Sequence, residues 1–264
     1  MKKLINVLFI TLIALSASAQ LTSIDQVSKI IKDANVVVVD ARSAADYAKT
    51  HVNGAINIPV TTLCNTTPVE GTLKSSAAIA NVLGSKGIAK TSKIVVYCKT
   101  GVNAGRMYWI LKYMGCTDVS MMDGQMQGWF DGRKPITKTP KTLKAATFTP
   151  AVKSSIKVDK AYVQSKISST GTVIVDSRKK VDYDAGHIGN AVNIPHEKML
   201  SGTKLKSVSA LTTLYANAGV AKNKEVILYC KTSTTAGLTY FVLTSLLNYT
   251  NVKVYDGAYL DWTK

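Results

Sequence analysis

Val36-Val37-Val38-Val39-Asp40-Ala41-Arg42 comes back later in the chain as Val173-Ile174-Val175-Asp176-Ser177-Arg178, a β-branched run closed by the same acid and the same arginine. Working outward, Asp46-Tyr47 with His51 answers to Asp182-Tyr183 with His187, and Asn53-Gly54-Ala55-Ile56-Asn57-Ile58-Pro59 to Gly189-Asn190-Ala191-Val192-Asn193-Ile194-Pro195. Ile94-Val95-Val96-Tyr97-Cys98-Lys99-Thr100 then matches Val226-Ile227-Leu228-Tyr229-Cys230-Lys231-Thr232. The last match pairs Met122-Asp123-Gly124 and Trp129 with Tyr255-Asp256-Gly257 and Trp262. The offset is 136 residues from Asp40 to Asp176 and 132 from Cys98 to Cys230, so the second copy is four residues shorter between those points. Collinear self-similarity at so long a period marks a duplicated domain.

Within each copy, short continuous apolar runs (Val36 to Val39, Ile94 to Val96, Val173 to Val175, Val226 to Leu228) alternate with longer segments of helical character. Strands apolar on both faces, separated by helices, imply a parallel sheet covered on both sides. After Cys98, residues Ala104, Met107, Tyr108, Leu111 and Met114 fall at helical spacing and Gly115 is placed to stop the helix; Ala236, Tyr240, Phe241 and Leu247 occupy the equivalent stretch. Residues 133–153 hold Pro135, Pro140 and Pro150 among lysines and threonines with no apolar period, the pattern of a linker. The reading is therefore a leader at 1–19, one domain at 20–132, a linker at 133–153 and a second domain at 154–264.

The leader follows from Lys2 and Lys3 ahead of an apolar run from Leu4 to Leu15, then Ser16-Ala17-Ser18-Ala19-Gln20. A basic start, an apolar stretch too short to anchor and a small-x-small end predict a secretory signal cut before Gln20, and an exported, periplasmic or extracellular protein with no membrane span after cleavage. The chain is 46% hydrophobic and 19% charged, an ordinary globular balance. Its formal net charge of +17 attracts anions in general, but the lysines form no stripe with interleaved aromatics and no reader motif, so no nucleic-acid partner is expected. With three histidines in the chain, a metal site is poorly supported.

Cys98 and Cys230 each stand directly after a strand and a few residues before a helix, at the carboxyl edge of an open parallel sheet where ligands bind. There, successive backbone N–H groups and the positive end of the helix can hold an anion. A free thiol ionises near pH 8.5, and a thiolate formed at neutral pH needs a shift of about two units, or about 2.7 kcal/mol. A helix terminus supplies about 0.3 to 2 kcal/mol, so the loop is expected to lower the thiol with added N–H donors and a cation, for which Lys99 and Lys231 are the candidates.

The D-x-R start, the D-Y-x-x-x-H segment, the A-[IV]-N-I-P run, the Y-C loop and the D-G-x-x-x-x-W end resemble the tandem-domain rhodanese family. The resemblance implies an α/β fold of two tandem rhodanese-like domains, each a mainly parallel sheet covered by helices on both faces. It implies a thiosulfate sulfurtransferase that takes sulfane sulfur onto a cysteine as a persulfide, without a cofactor. The partners would be a small anionic sulfur donor and a thiol or cyanide acceptor. Cys98-Lys99-Thr100-Gly101-Val102-Asn103 is similar to the family's active C-x-x-G-V-[ST] pattern, departing at Asn103. Cys230-Lys231-Thr232-Ser233-Thr234-Thr235 keeps the cysteine and last threonine but has Ser233 for glycine, which strains or reshapes the loop if that position needs positive φ.

Tandem members usually work through one domain, commonly the second; here both cysteines are present and both loops stand as candidates. By resemblance, Arg178 with Lys231, and Arg42 with Lys99, help to bind the donor; the alternative for the arginines is an ion pair with Asp176, Asp40 or a neighbouring carboxylate. Family members that use 3-mercaptopyruvate tend to carry small uncharged residues after the cysteine, so the two lysines favour thiosulfate. A non-catalytic sulfur carrier or partner-binding module is the other reading. Phosphatase chemistry wants C-x5-R, and Ala104 and Ala236 stand where that arginine would be, with Arg106 two places further on. Cys64 and Cys116 have no counterparts in the second copy and read as small core residues; export permits a bridge between them, though spacing alone does not establish one. His51 and His187 read as turn elements, and Trp129, Trp262, Tyr47 and Tyr183 as packing residues.

Overall fold

A computed structural model describes residues 20–264. The leader expected at 1–19 lies outside the described residues. In the first domain five strands run parallel in the order Leu21–Thr22, Val119–Met122, Lys93–Tyr97, Val36–Asp40, Ile56–Asn57. The second domain repeats the arrangement with Lys157–Val158, Val252–Tyr255, Glu225–Tyr229, Thr172–Asp176 and Val192–Asn193. Register is preserved as well: Asp40 lies opposite Tyr97 as Asp176 lies opposite Tyr229.

The valine runs are buried on both faces, and their alternation sorts the core into layers. Val37, Val39, Ile94 and Val96 point to one side, into a continuous core that also holds Val175, Val226, Leu228, Leu238 and Phe241 of the second domain. Val36, Val38, Val95 and Tyr97 point to the other side, against Val27, Met126 and Trp129. The second domain has its own outer layer around Ile174, Ile227, Tyr229 and Tyr255. A central apolar layer thus belongs to both domains, which makes them one packed body.

The helices that follow the two cysteine loops, Val102–Tyr113 and Thr234–Phe241, form the middle of that layer and cross each other closely. Gly105 and Gly237 make the approach possible. A Cβ on Gly105 would stand 2.6 Å from the Leu238 nitrogen, and one on Gly237 would stand 2.6 Å from the Arg106 Cα. The first helix ends where the spacing predicts, with Gly115 at φ +94°. The second passes after Phe241 into a π-helical stretch, Val242–Leu246, which the apolar spacing does not foretell.

The proline-rich connection is more structured than its composition suggests. Ile136–Thr137 pairs antiparallel with His51–Val52. Beyond it the Ala146 and Ala151 amides donate to the Gly84 and Met114 carbonyls, and Phe148 is buried in the central core. The segment straps the first domain because glycines at 84, 87 and 115 leave room for its backbone or side chains. Among the described residues no helix is long and apolar enough to cross a membrane.

Candidate active site

Cys98 follows the last residue of the strand Lys93–Tyr97 and is almost wholly buried, as is Cys230 after Glu225–Tyr229. Lys99, Thr100 and Lys231 are exposed at the rim, while Val102, Asn103, Thr232, Thr234 and Thr235 are half-buried.

In the first loop Gly101 turns the chain at φ +93° into its helix, and its N–H donates to the Cys98 Sγ at 3.1 Å. The backbone N–H groups of Ala104, Thr100 and Asn103 add a downward pull on the same thiol. Two bonds hold the loop from behind: the Cys98 N–H donates to Gln125 Oε1 at 2.9 Å, and the Met126 N–H donates to the Cys98 carbonyl at 3.0 Å. Gln125 reaches this position with a positive φ of 55° in the turn after Asp123-Gly124.

Burial raises the Cys98 thiol above its ordinary value, against the pull of the four N–H groups. This corrects the expectation of a lowered thiol. Removing a charge from water outweighs the backbone dipoles, and Lys99 is exposed.

The second loop makes the same turn with a serine. Ser233 stands at φ +60°, and its hydroxyl donates to the Tyr255 carbonyl at 2.5 Å and the Asp256 carbonyl at 3.1 Å. The two carbonyls share the single hydroxyl proton, a hydrogen bond a glycine would lack. The Tyr259 N–H donates to the Cys230 carbonyl at 2.9 Å, as Met126 does to Cys98. No counterpart of Gln125 exists, since Ala258 occupies its place.

Both arginines form the ion pairs named as their alternative. Arg42 Nη2 lies 2.6 Å from Asp40 Oδ2, its Nε faces both carboxylate oxygens, and Nη2 also donates to the Thr50 carbonyl. Arg178 repeats this with Asp176 and the Gly186 carbonyl, and its guanidinium lies 3.8 Å from the Tyr259 ring centre. A buried carboxylate two residues away satisfies the fork before any ligand arrives. His51 and His187 are likewise structural, stacked on Tyr47 and Tyr183 at 3.6 and 3.9 Å.

Cys64 and Cys116 are free thiols. Cys116 is fully buried, and Cys64 is half-buried beside Arg106, packed against the central core. Among the described residues no group of three or more His, Cys, Asp or Glu is placed to hold a metal.

Gln125, Arg106 and Asp256 were not singled out as site residues by the sequence. Asp256 was visible within a matched Asp-Gly pair, and the paired helix glycines Gly105 and Gly237 sit at the same 132-residue offset as the cysteines.

Two parallel sheets, each presenting a buried cysteine at its carboxyl edge before a helix, define an α/β protein built for chemistry on sulfur or on small anions. A rhodanese-like domain model matches residues 23–131 and again 159–264, and the chain belongs to that family of sulfurtransferases. It is 30% identical over 269 residues to a protein of Mycobacterium leprae named "Putative thiosulfate sulfurtransferase", covering 94% of this chain and 96% of that one. It is 30% identical over 218 residues to the sulfur carrier protein TtuD of Thermus thermophilus, covering 74% and 76%. Similarity to the 3-mercaptopyruvate sulfurtransferase of Escherichia coli is 24% over 261 residues, covering 90% and 92%. The crystal structure of SseA from Escherichia coli superposes with a TM-score of 0.85 at 24% identity, covering 92% of this chain and 99% of that one, and shares the fold.

Proposed function

We propose that the protein moves sulfane sulfur from thiosulfate, or a donor of the same small-anion chemistry, to a thiophilic acceptor through a cysteine persulfide. The observation that carries this reading is the backbone turn at the Cys98 sulfur, where the Gly101 N–H donates at 3.1 Å and the N–H groups of Thr100, Asn103 and Ala104 add their pull. Such a turn stabilises negative charge on sulfur without a metal or a general base. The relatives named for thiosulfate and for 3-mercaptopyruvate support transfer, and Lys99 and Lys231 at the rims favour the dianion.

In this reading the cysteine gives its proton to solvent and attacks the outer sulfur of thiosulfate. The S–S bond of the donor breaks, and sulfite leaves with the bonding pair. The acceptor thiol or cyanide then attacks the outer sulfur of the persulfide and releases the thiolate. No external oxidant or reductant is consumed. The exposed lysines draw the dianion in, and the N–H groups of the turn hold charge on the attacking and departing sulfur. Export as a mature chain from Gln20 belongs to the same proposal and rests on the leader pattern.

Sulfur storage or delivery without small-donor turnover is the second reading. The raised Cys98 thiol and the similarity to a named sulfur carrier favour it. Thiosulfate-dependent sulfur transfer to cyanide, measured for wild type, Cys98→Ser, Cys230→Ser and the double variant, separates the two. Turnover lost in one single variant names the working loop. A mass gain of one sulfur without turnover supports the carrier, and neither mass gain nor turnover rejects the thiosulfate donor.

A further inference from the structure

Arg106 lies on the helix that follows the first loop, yet two of its three hydrogen bonds go to the second domain. It is 1% exposed. Nη1 donates to the Ser233 carbonyl at 3.3 Å, and Nη2 donates to the Gly71 carbonyl at 2.7 Å and to Asp256 Oδ1 at 2.9 Å. The other Asp256 oxygen accepts from the Leu73 N–H at 2.9 Å. Ser233 is the positive-φ residue that turns the Cys230 loop into its helix, and its hydroxyl is tied to the Asp256 carbonyl. One guanidinium therefore grips the turn of the second loop, the acid behind it and a segment of the first domain. That segment presses directly on the loop: a Cβ on Gly71 would stand 2.5 Å from the Thr232 carbonyl oxygen.

The equivalent contact on the other side has no such grip. At the offset of the cysteines, Arg106 corresponds to Leu238, which meets the first loop at Gly101 with a methyl group 3.8 Å from where a Cβ would stand. The first loop is held by Gln125 of its own domain instead, and the second has Ala258 at that place. The second domain does reach across, with the Thr203 hydroxyl donating to the Gly124 carbonyl at 2.9 Å, but that bond carries no charge.

We infer that Arg106 is a positioning residue for the Cys230 loop, so that the first cysteine is set by its own domain and the second is set across the domain boundary. The physical route is the peptide plane between Ser233 and Thr234. In a trans peptide the C=O and N–H point in opposite directions, so pinning the Ser233 carbonyl fixes the Thr234 N–H, the first of the helix that follows Cys230. Asp256 balances the charge of Arg106, which a buried guanidinium requires, and Nε finds no partner among the described residues. The two sulfurs consequently respond to different substitutions. The inference concerns the loop whichever function it serves.

Alkylation by iodoacetamide, read cysteine by cysteine from peptide masses across a pH series, tests this in the full-length mature chain and needs neither donor nor acceptor. In Arg106→Met the Cys230 rate is expected to change by about tenfold with a displaced pH profile, while the Cys98 rate stays within about twofold. Arg106→Lys keeps the charge without the fork and is expected to restore part of the difference. Asp256→Asn, which frees the guanidinium from its acid, is expected to shift the Cys230 profile alone. Rates that move together at both cysteines, or a Cys230 rate unchanged in folded Arg106→Met, overturn the inference. If Arg106→Met does not fold, the lysine and asparagine variants decide by the same criterion.

Discussion

Gly105 of the first domain lies so close to Leu238 of the second that a single added carbon would stand 2.6 Å from the leucine nitrogen, with the mirror contact between Gly237 and Arg106. Neither neighbour is the tip of a flexible side chain, so the helices must separate to accept a methyl group. Gly105→Ala and Gly237→Ala are each expected to cost about 3 kcal/mol or more, above the range for overpacking against side chains. Gly171→Ala, with nothing nearer than 3.8 Å, is expected to stay within about 0.5 kcal/mol. Urea unfolding of the three variants checks this, and equal midpoints would dismiss the crossing as a stability determinant.

Ser233 separates backbone strain from hydrogen bonding. Ser233→Ala keeps the left-handed turn but loses the bonds to the Tyr255 and Asp256 carbonyls, and is expected to destabilise by about 1 to 2 kcal/mol. Ser233→Gly loses the same bonds while relieving strain, and is expected to lie within about 1 kcal/mol of wild type. An alanine variant as stable as the glycine one would show that the turn carries no strain, and one as stable as wild type that the hydroxyl contributes nothing.

Gln125→Leu removes the acceptor of the Cys98 N–H and leaves that group buried. The expected cost is about 1 to 3 kcal/mol. Persulfide formation at Cys98, followed by mass after thiosulfate exposure, should slow while Cys230 is unaffected. Equal slowing at both sulfurs would count against Gln125 as the support of the first loop alone.

Asp176→Asn and Arg178→Met each break a buried ion pair and are expected to destabilise by about 3 to 5 kcal/mol. If Arg178 serves the donor instead, Arg178→Met will raise the KM for thiosulfate and leave the thermal midpoint in place. Thermal unfolding beside donor saturation kinetics distinguishes the outcomes.

Burial pushes the Cys116 thiol up to about 12. An unfolded cysteine ionises near 8.5, so above that pH the unfolded chain releases a proton the folded chain retains. Stability is therefore unaffected by this group below about pH 8.5 and falls as pH rises from there towards 12. Between pH 8 and 10 wild type is expected to lose about 2 kcal/mol more than Cys116→Ala. Parallel pH curves for the two proteins would reject the shift.

The fold was legible because its signals are local and repeated. Four valines before Asp40 specify a strand buried on both faces whatever surrounds it, and the return of that run at Val173 supplies the second sheet. Cys98 was legible from its place between strand and helix. The direction of its thiol shift was not, since sequence shows the neighbouring N–H groups but not how completely the sulfur leaves water. Gln125 escaped notice because its partner is 27 residues away through a turn of positive φ. Arg106 reads locally as one polar position in an apolar helix, and its role exists only once Ser233, Gly71 and Asp256 arrive from three other places. The linker misled for a related reason: its partners are the carbonyls of glycine-lined grooves, which leave no pattern in the linker itself.

The crossing of the two loop helices obeys a twofold relation inside a single chain, with the glycine of each seated on its partner's backbone. Were the same contact made by two identical subunits, any change on one side would appear on the other. Arginine could not face one loop while leucine faced its twin. Covalent duplication removes that constraint, and the pair Arg106 and Leu238 shows it removed: a symmetric joint carrying unequal occupants, which lets two sulfurs of common ancestry be governed independently within one molecule.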